Sequence, residues 1–153
     1  MLIAALLACS SAPTGAPTPP TKAPAPIAVP AVAKVDLNNA TEEQLRAIPG
    51  ATDRLVHEFM EYRPYVSIRQ FRKEMAKYVD AKTIAGFEQG AFVPIEIGEC
   101  DAATLAQLPG LDEVAATALI AARPFASADA FRAALGAHVT PEQAAAAYPL
   151  LAK

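Results

Sequence analysis

Displaced by 60 positions, the second part of the chain falls on the first without a gap. Leu45 meets Leu105, Pro49-Gly50 meets Pro109-Gly110, and Arg63-Pro64-Tyr65 meets Arg123-Pro124-Phe125. Ser67 meets Ser127, Phe71-Arg72 meets Phe131-Arg132, and Val79 meets Val139. A period this long, held without insertion, marks a supersecondary unit used twice. Each copy must therefore fold within about 60 residues, a size that is marginal alone, so the two are expected to pack together.

Apolar residues make up 53% of the 153, but aromatics only 7%, with no Trp. The apolar share is Ala, Leu, Val and Ile, which suits short packed helices better than a β-sandwich. The punctuation agrees. Thr41-Glu42-Glu43-Gln44 reads as a capping box opening a helix with Leu45 and Ile48, stopped by Pro49-Gly50. Thr52 or Asp53 caps a second helix whose Leu55, Val56, Phe59 and Met60 form an apolar stripe, and Pro64 ends it. Ser67-Ile68-Arg69-Gln70 reads as another capping box ahead of Phe71, Met75 and Tyr78, and Asp80 caps a last helix with Ile84 and Phe87. In the second copy Asp101, Asp112, Ser127 and Thr140 open helices in register, the last with Pro141 at its first position. Neither copy shows a period-2 strand. The expected fold is all-α: two tandem units of about four short helices each, over residues 35–93 and 94–153, after an N-terminal linker.

A short helix, a tight turn beginning Pro-Gly and a second amphipathic helix make a helix-hairpin-helix pattern. The strings are LRAIPGATDRLVHEFMEYR and LAQLPGLDEVAATALIAAR. With DLNNAT upstream and RPYVSIRQF downstream, the first copy resembles ComEA-like competence DNA receptors and kindred exported helix-hairpin-helix proteins. The resemblance covers residues 35 to about 92 and reaches 95–153 through the repeat. It implies a second, weaker hairpin at Tyr78-Val79-Asp80-Ala81 and sequence-independent binding of duplex DNA. In such hairpins glycines of a Gly-x-Gly turn let the backbone approach a phosphate, while the N–H groups opening the second helix point at it. Readout is of the phosphate backbone and falls with salt.

Here the first glycine is kept as Gly50 and Gly110, and the second is replaced by Thr52 and Asp112. Both replacements also make ordinary N-caps. Residues 34–93 carry nine basic and nine acidic groups, whereas residues 94–153 carry three and seven. The candidate phosphate site is therefore the first hairpin: Pro49, Gly50, Ala51, Thr52 and Arg54, with Arg69, Lys73 and Lys77 spaced i, i+4, i+8 on the third helix. The alternative for those cations is a solvated face. The second hairpin, Pro109, Gly110, Leu111 and Asp112, is degenerate, with a carboxylate where a phosphate would sit and Glu113 beside it. Arg63 and Arg123 stand at the last turn of each second helix, where a cation complements the helix C-terminus. Cys100 aligns with Ala40 and reads as a small, partly buried residue.

The N-terminal MLIAALLA ends at Cys9, and Leu6-Leu7-Ala8-Cys9 resembles a bacterial lipobox, although no Lys or Arg precedes the apolar run. Residues 1–9 are expected to be a lipoprotein-type signal with Cys9 lipidated, ordinary cleaved export being the alternative. Residues 10–34 are Ala, Pro and Thr with few charges, a tract that cannot bury a core. At about 3.1 Å per residue in polyproline II it would hold a domain up to roughly 75 Å from its anchor. The implied setting is export, with a membrane-anchored lipoprotein facing the periplasm or the cell surface.

A net charge of −3 does not favour a nucleic-acid binder acting through bulk charge, but leaves room for a local patch. Two Cys make neither a disulfide framework nor a four-Cys zinc site, and His57 and His138 have no ligand spacing around them. No metal, cofactor or small-molecule substrate is expected. Nor is catalysis: hairpin glycosylases need a Lys or Asp nucleophile downstream, where this chain has Arg-Pro-Tyr and Arg-Pro-Phe. Two functions stand side by side: a tethered, non-catalytic binder of duplex DNA, and a protein-interaction module that has lost the phosphate site.

Overall fold

A computed structural model describes residues 34–152, so the lipobox and nearly all of the linker lie outside the described residues. The fold is mostly helical. In chain order it has α1 (Glu42–Arg46), α2 (Asp53–Glu61), α3 (Ile68–Met75), α4 (Ala81–Gly90), α5 (Ala102–Leu105), α6 (Glu113–Ala121), α7 (Ala128–Leu135) and α8 (Pro141–Ala147), then a 3₁₀ turn, Tyr148–Leu150.

Among the described residues, every one of the eight helices opens on a side-chain cap. Thr41, Thr52, Ser67, Asp80, Asp101, Asp112, Ser127 and Thr140 each accept the N–H three residues ahead. Such a bond satisfies one donor that the first turn leaves without an intrahelical partner. Thr41 and Thr140 form full capping boxes with Gln44 and Gln143. Ser67 does not: Gln70 reaches past it and its Oε1 accepts from the Val66 N–H at 3.0 Å.

The expectation of no strand is corrected in detail. Val35–Asp36 (β1) and Ala91–Phe92 (β2) form a parallel ladder, and Ile95 bridges to Leu151. Runs of two residues are too short to register as a period. Two apolar clusters lie on either side of the α4–α5 connection. The first packs Leu37, Leu45, Phe59, Ile68, Phe71 and Phe87, with Phe59 against Phe71 at 5.6 Å and Phe87 at 5.3 Å between ring centroids. The second packs Ile95, Leu105, Leu108, Leu119, Phe131 and Leu135. Met60, placed on the buried stripe by the sequence, is 42% exposed.

The two clusters are joined by specific bonds. Thr104 is fully buried and its hydroxyl accepts the Ile68 N–H at 3.0 Å, at the opening of α3. The Gln107 carboxamide takes both the N–H (2.9 Å) and the carbonyl (3.1 Å) of Val93. Arg63 and Arg123, expected at helix C-termini, instead donate at 2.9 Å to the carbonyls of Ala40 and Cys100 in the loops ahead of α1 and α5. Each guanidinium ties the end of a helix to a distant loop. Cys100 is buried with its Sγ 3.0 Å from the Arg123 guanidinium, and burial pushes its thiol pKa up. No helix among the described residues is long and apolar enough to cross a membrane.

Candidate nucleic-acid interface

The first hairpin turn runs from Ala47, the C-cap of α1, to Thr52, the N-cap of α2. Its backbone is pinned by Ala51 N–H to the Ile48 carbonyl at 3.0 Å. Gly50 has φ +85°, the left-handed region that a side chain disfavours, so glycine is required there. The N–H groups of Gly50, Thr52, Asp53 and Arg54 have no acceptor among the described residues. Pro49, Gly50 and Thr52 are exposed and Ala51 is half-buried. The Thr52 oxygen accepts the Leu55 N–H at 3.4 Å, which leaves its hydroxyl proton free to donate outward. The turn thus presents an outward row of N–H donors at the positive end of a helix, a cradle for an anion.

Arg54 is exposed at the second position of α2, with no ionic partner among the described residues, and its guanidinium lies 5.5 Å from the centre of the Tyr78 ring. That contact sets the opening of α2 beside the turn between α3 and α4. The Tyr62 and Tyr78 hydroxyls meet at 3.0 Å, and Lys77 lies 4.8 Å from the centre of the Tyr62 ring. The hydrogen bond to Tyr62, with Glu58 alongside, holds the Tyr78 hydroxyl above its usual pKa. Lys82, not singled out from the sequence, occupies the second position of α4 as Arg54 does in α2, and it too is exposed without an ionic partner among the described residues. Its signal was the shared helical position, not a motif.

The lysine and arginine stripe read from the sequence does not hold together. The α3 helix stops at Met75, where the Tyr78 and Val79 N–H groups close onto the Met75 carbonyl, so Lys77 sits in the following turn. There it pairs with Glu74, whose hydrogen bond raises the lysine pKa. Arg69 pairs with Glu113 at 3.0 Å and approaches Asp101 at 3.8 Å. Arg72 donates to both oxygens of Glu88, at 2.7 and 2.8 Å. Of the stripe, Lys73 alone is exposed without an ionic partner among the described residues. Arg54 therefore stands against Tyr78 beside the turn of residues 49–52, while Lys77 lies over Tyr62, the C-cap at the far end of α2. Arg69 is directed toward the second half.

The second turn has the same backbone and a different surface. Gly110 has φ +77°, and Leu111 N–H bonds the Leu108 carbonyl at 3.1 Å. A Cβ built on Gly110 would collide with the Gln143 carboxamide, whereas one on Gly50 would meet only the Phe87 ring at 3.5 Å. Gln143, held by its bond from the Thr140 N–H, thus lies over the second turn. The Asp112 carboxylate accepts the Ala115 N–H at 2.7 Å, Glu113 is taken by Arg69, and Val114, 80% exposed, stands where the first half has Arg54. The cation at the opening of α6, Arg69, is already paired with Glu113. Among the described residues no group of three His, Cys, Asp or Glu side chains is placed to hold a metal.

No protein-family model, curated protein or solved structure matches the chain.

Proposed function

We propose that residues 35–93 and 94–153 are two copies of one helix-hairpin-helix unit. In this reading the first hairpin binds the phosphate backbone of duplex DNA without sequence preference, in a non-catalytic protein held at a membrane through Cys9. One observation carries the DNA reading: the turn 49–52 and the opening of α2 leave four N–H groups, those of Gly50, Thr52, Asp53 and Arg54, without acceptors among the described residues, beside the Arg54 guanidinium. The equivalent turn at 109–112 is overlain by Gln143 and flanked by acidic groups. Tyr78, against Arg54, has a hydroxyl of the kind that contacts phosphate oxygens, here bonded to that of Tyr62. The 60-residue spacing of the helix caps and the recurrence of the left-handed glycine support one unit used twice. The N-terminal tract read as a spacer would let such a domain reach ligands away from its anchor.

A protein-interaction role fits the second half better, because its hairpin turn is covered and its charge is acidic. The two roles are compatible within one chain. A gel-shift titration of the protein with a random-sequence duplex, at low and at moderate salt, tests the DNA role. Retarded complexes that weaken as salt rises are expected; a duplex that never shifts at low salt would remove it.

A further inference from the structure

Asn38 holds Tyr65 in the first half, and no residue among those described holds its counterpart, Phe125, in the second. Its Nδ2 donates to the Tyr65 carbonyl at 2.9 Å, and its Oδ1 accepts the Tyr65 N–H at 2.8 Å. One carboxamide satisfies both backbone groups of one residue. In the second half the frame around that pairing is kept. Arg123 bonds the Cys100 carbonyl as Arg63 bonds that of Ala40, both at 2.9 Å. Phe125 meets Phe131 edge-on at 5.2 Å as Tyr65 meets Phe71 at 5.5 Å. The loop closes alike, Cys100 N–H on the Glu96 carbonyl at 2.9 Å and Ala40 N–H on the Asp36 carbonyl at 2.8 Å. What is missing is the carboxamide, because position 98 is glycine.

The consequence is an open notch with its donor and acceptor in place. The Phe125 N–H and carbonyl have no hydrogen-bond partner among the described residues. No atom lies within 4 Å of where a Cβ on Gly98 would stand. A cleft of about 310 Å³ opens there, lined by Ile97, Gly98, Pro124 and Phe125 among others.

We propose that this notch binds a primary carboxamide, the side chain of an Asn or Gln on a partner polypeptide, which takes the place that Asn38 fills in the first half. A carboxamide offers one donor and one acceptor side by side, the complement of the Phe125 pair. A carboxylate offers acceptors alone, so it would leave the Phe125 carbonyl facing an anion, in a half whose charges are already mostly acidic. Residues 1–33 contain no Asn or Gln that could fill it.

The test is a titration of the isotope-labelled protein with N-acetyl-asparagine N-methylamide, followed by amide NMR, with the aspartate analogue as control. A saturable shift of the Phe125 amide is expected, with at least tenfold weaker binding of the aspartate compound at neutral pH. Gly98→Asn should place the Phe125 amide at the ligand-bound position without ligand and abolish the response. Asn38→Gly should create a second responding site at the Tyr65 amide. A Phe125 amide that does not shift saturably, equal binding of the two compounds, or a full response in Gly98→Asn would overturn the proposal.

Discussion

The two hairpin glycines share a backbone conformation but not a neighbour, and alanine at each should expose the difference. Placing Ala in the left-handed region costs about 1–2 kcal/mol wherever it occurs. At Gly50 that is nearly the whole penalty, since the added methyl meets only the Phe87 ring at an ordinary contact distance. At Gly110 the methyl must also displace the Gln143 carboxamide, which accepts the Thr140 N–H at 2.9 Å and completes the α8 capping box. Losing that bond adds about 0.5–1.5 kcal/mol. Gly50→Ala should therefore cost about 1–2 kcal/mol and Gly110→Ala about 1.5–3.5 kcal/mol, summed from the same terms. Urea unfolding followed by circular dichroism reads both. The control is Gln143→Ala: in that background Gly110→Ala should cost no more than Gly50→Ala, a coupling that a double-mutant cycle isolates. Gly50→Ala costing as much as Gly110→Ala in the parent protein would refute the reasoning, as would a difference that survives removal of Gln143.

Thr104→Val keeps the shape and removes the acceptor of the buried Ile68 N–H, so it should cost about 1–3 kcal/mol in the same assay, with Thr104→Ser largely restoring stability. Asp80, whose carboxylate is held below its usual pKa by the Thr83 hydroxyl and N–H, stabilises the fold above the unfolded-state pKa near 3.8 and loses that contribution as pH falls through the folded value. Asp80→Asn should therefore flatten the decline of the urea midpoint below about pH 4. An acid limb as steep as that of the parent protein would show that Asp80 is not a source of it. Cys9→Ser should release the protein from the membrane fraction; a parent protein that fractionates as soluble, cut before Cys9, would exclude the lipid anchor.

The helix starts were legible because a cap is a local event. Thr41, Ser67 and Thr140 bond an N–H only three residues ahead, and the choice between Thr52 and Asp53 resolves to Thr52 by the same geometry. The left-handed turns were legible for a similar reason, since Pro-Gly before a cap names its own conformation. What failed were readings that assumed a helix runs on, or that a charge stays free. The i, i+4, i+8 spacing puts Lys77 on α3, but the backbone turns at Ala76. Arg69 has no partner within its own helix pattern and is paired with Glu113, 44 positions away. Gln143 over Gly110, Asn38 on Tyr65 and the β1–β2 ladder are likewise long-range arrangements that no local pattern announces.

The most direct test of the DNA reading is the salt dependence of duplex binding compared between Arg54→Glu and Arg132→Glu. Arg54 is exposed beside the open turn, whereas Arg132 lies on α7, pairs with Asp129 at 2.8 Å and stacks on Tyr148. Fluorescence anisotropy with a random-sequence duplex, over several salt concentrations, gives the slope of log K against log salt. The account predicts that Arg54→Glu weakens binding to all sequences alike and makes that slope shallower by about 0.9, the share of one phosphate contact, while Arg132→Glu leaves both nearly unchanged. Equal losses from the two substitutions, or a slope unmoved by Arg54→Glu, would contradict it.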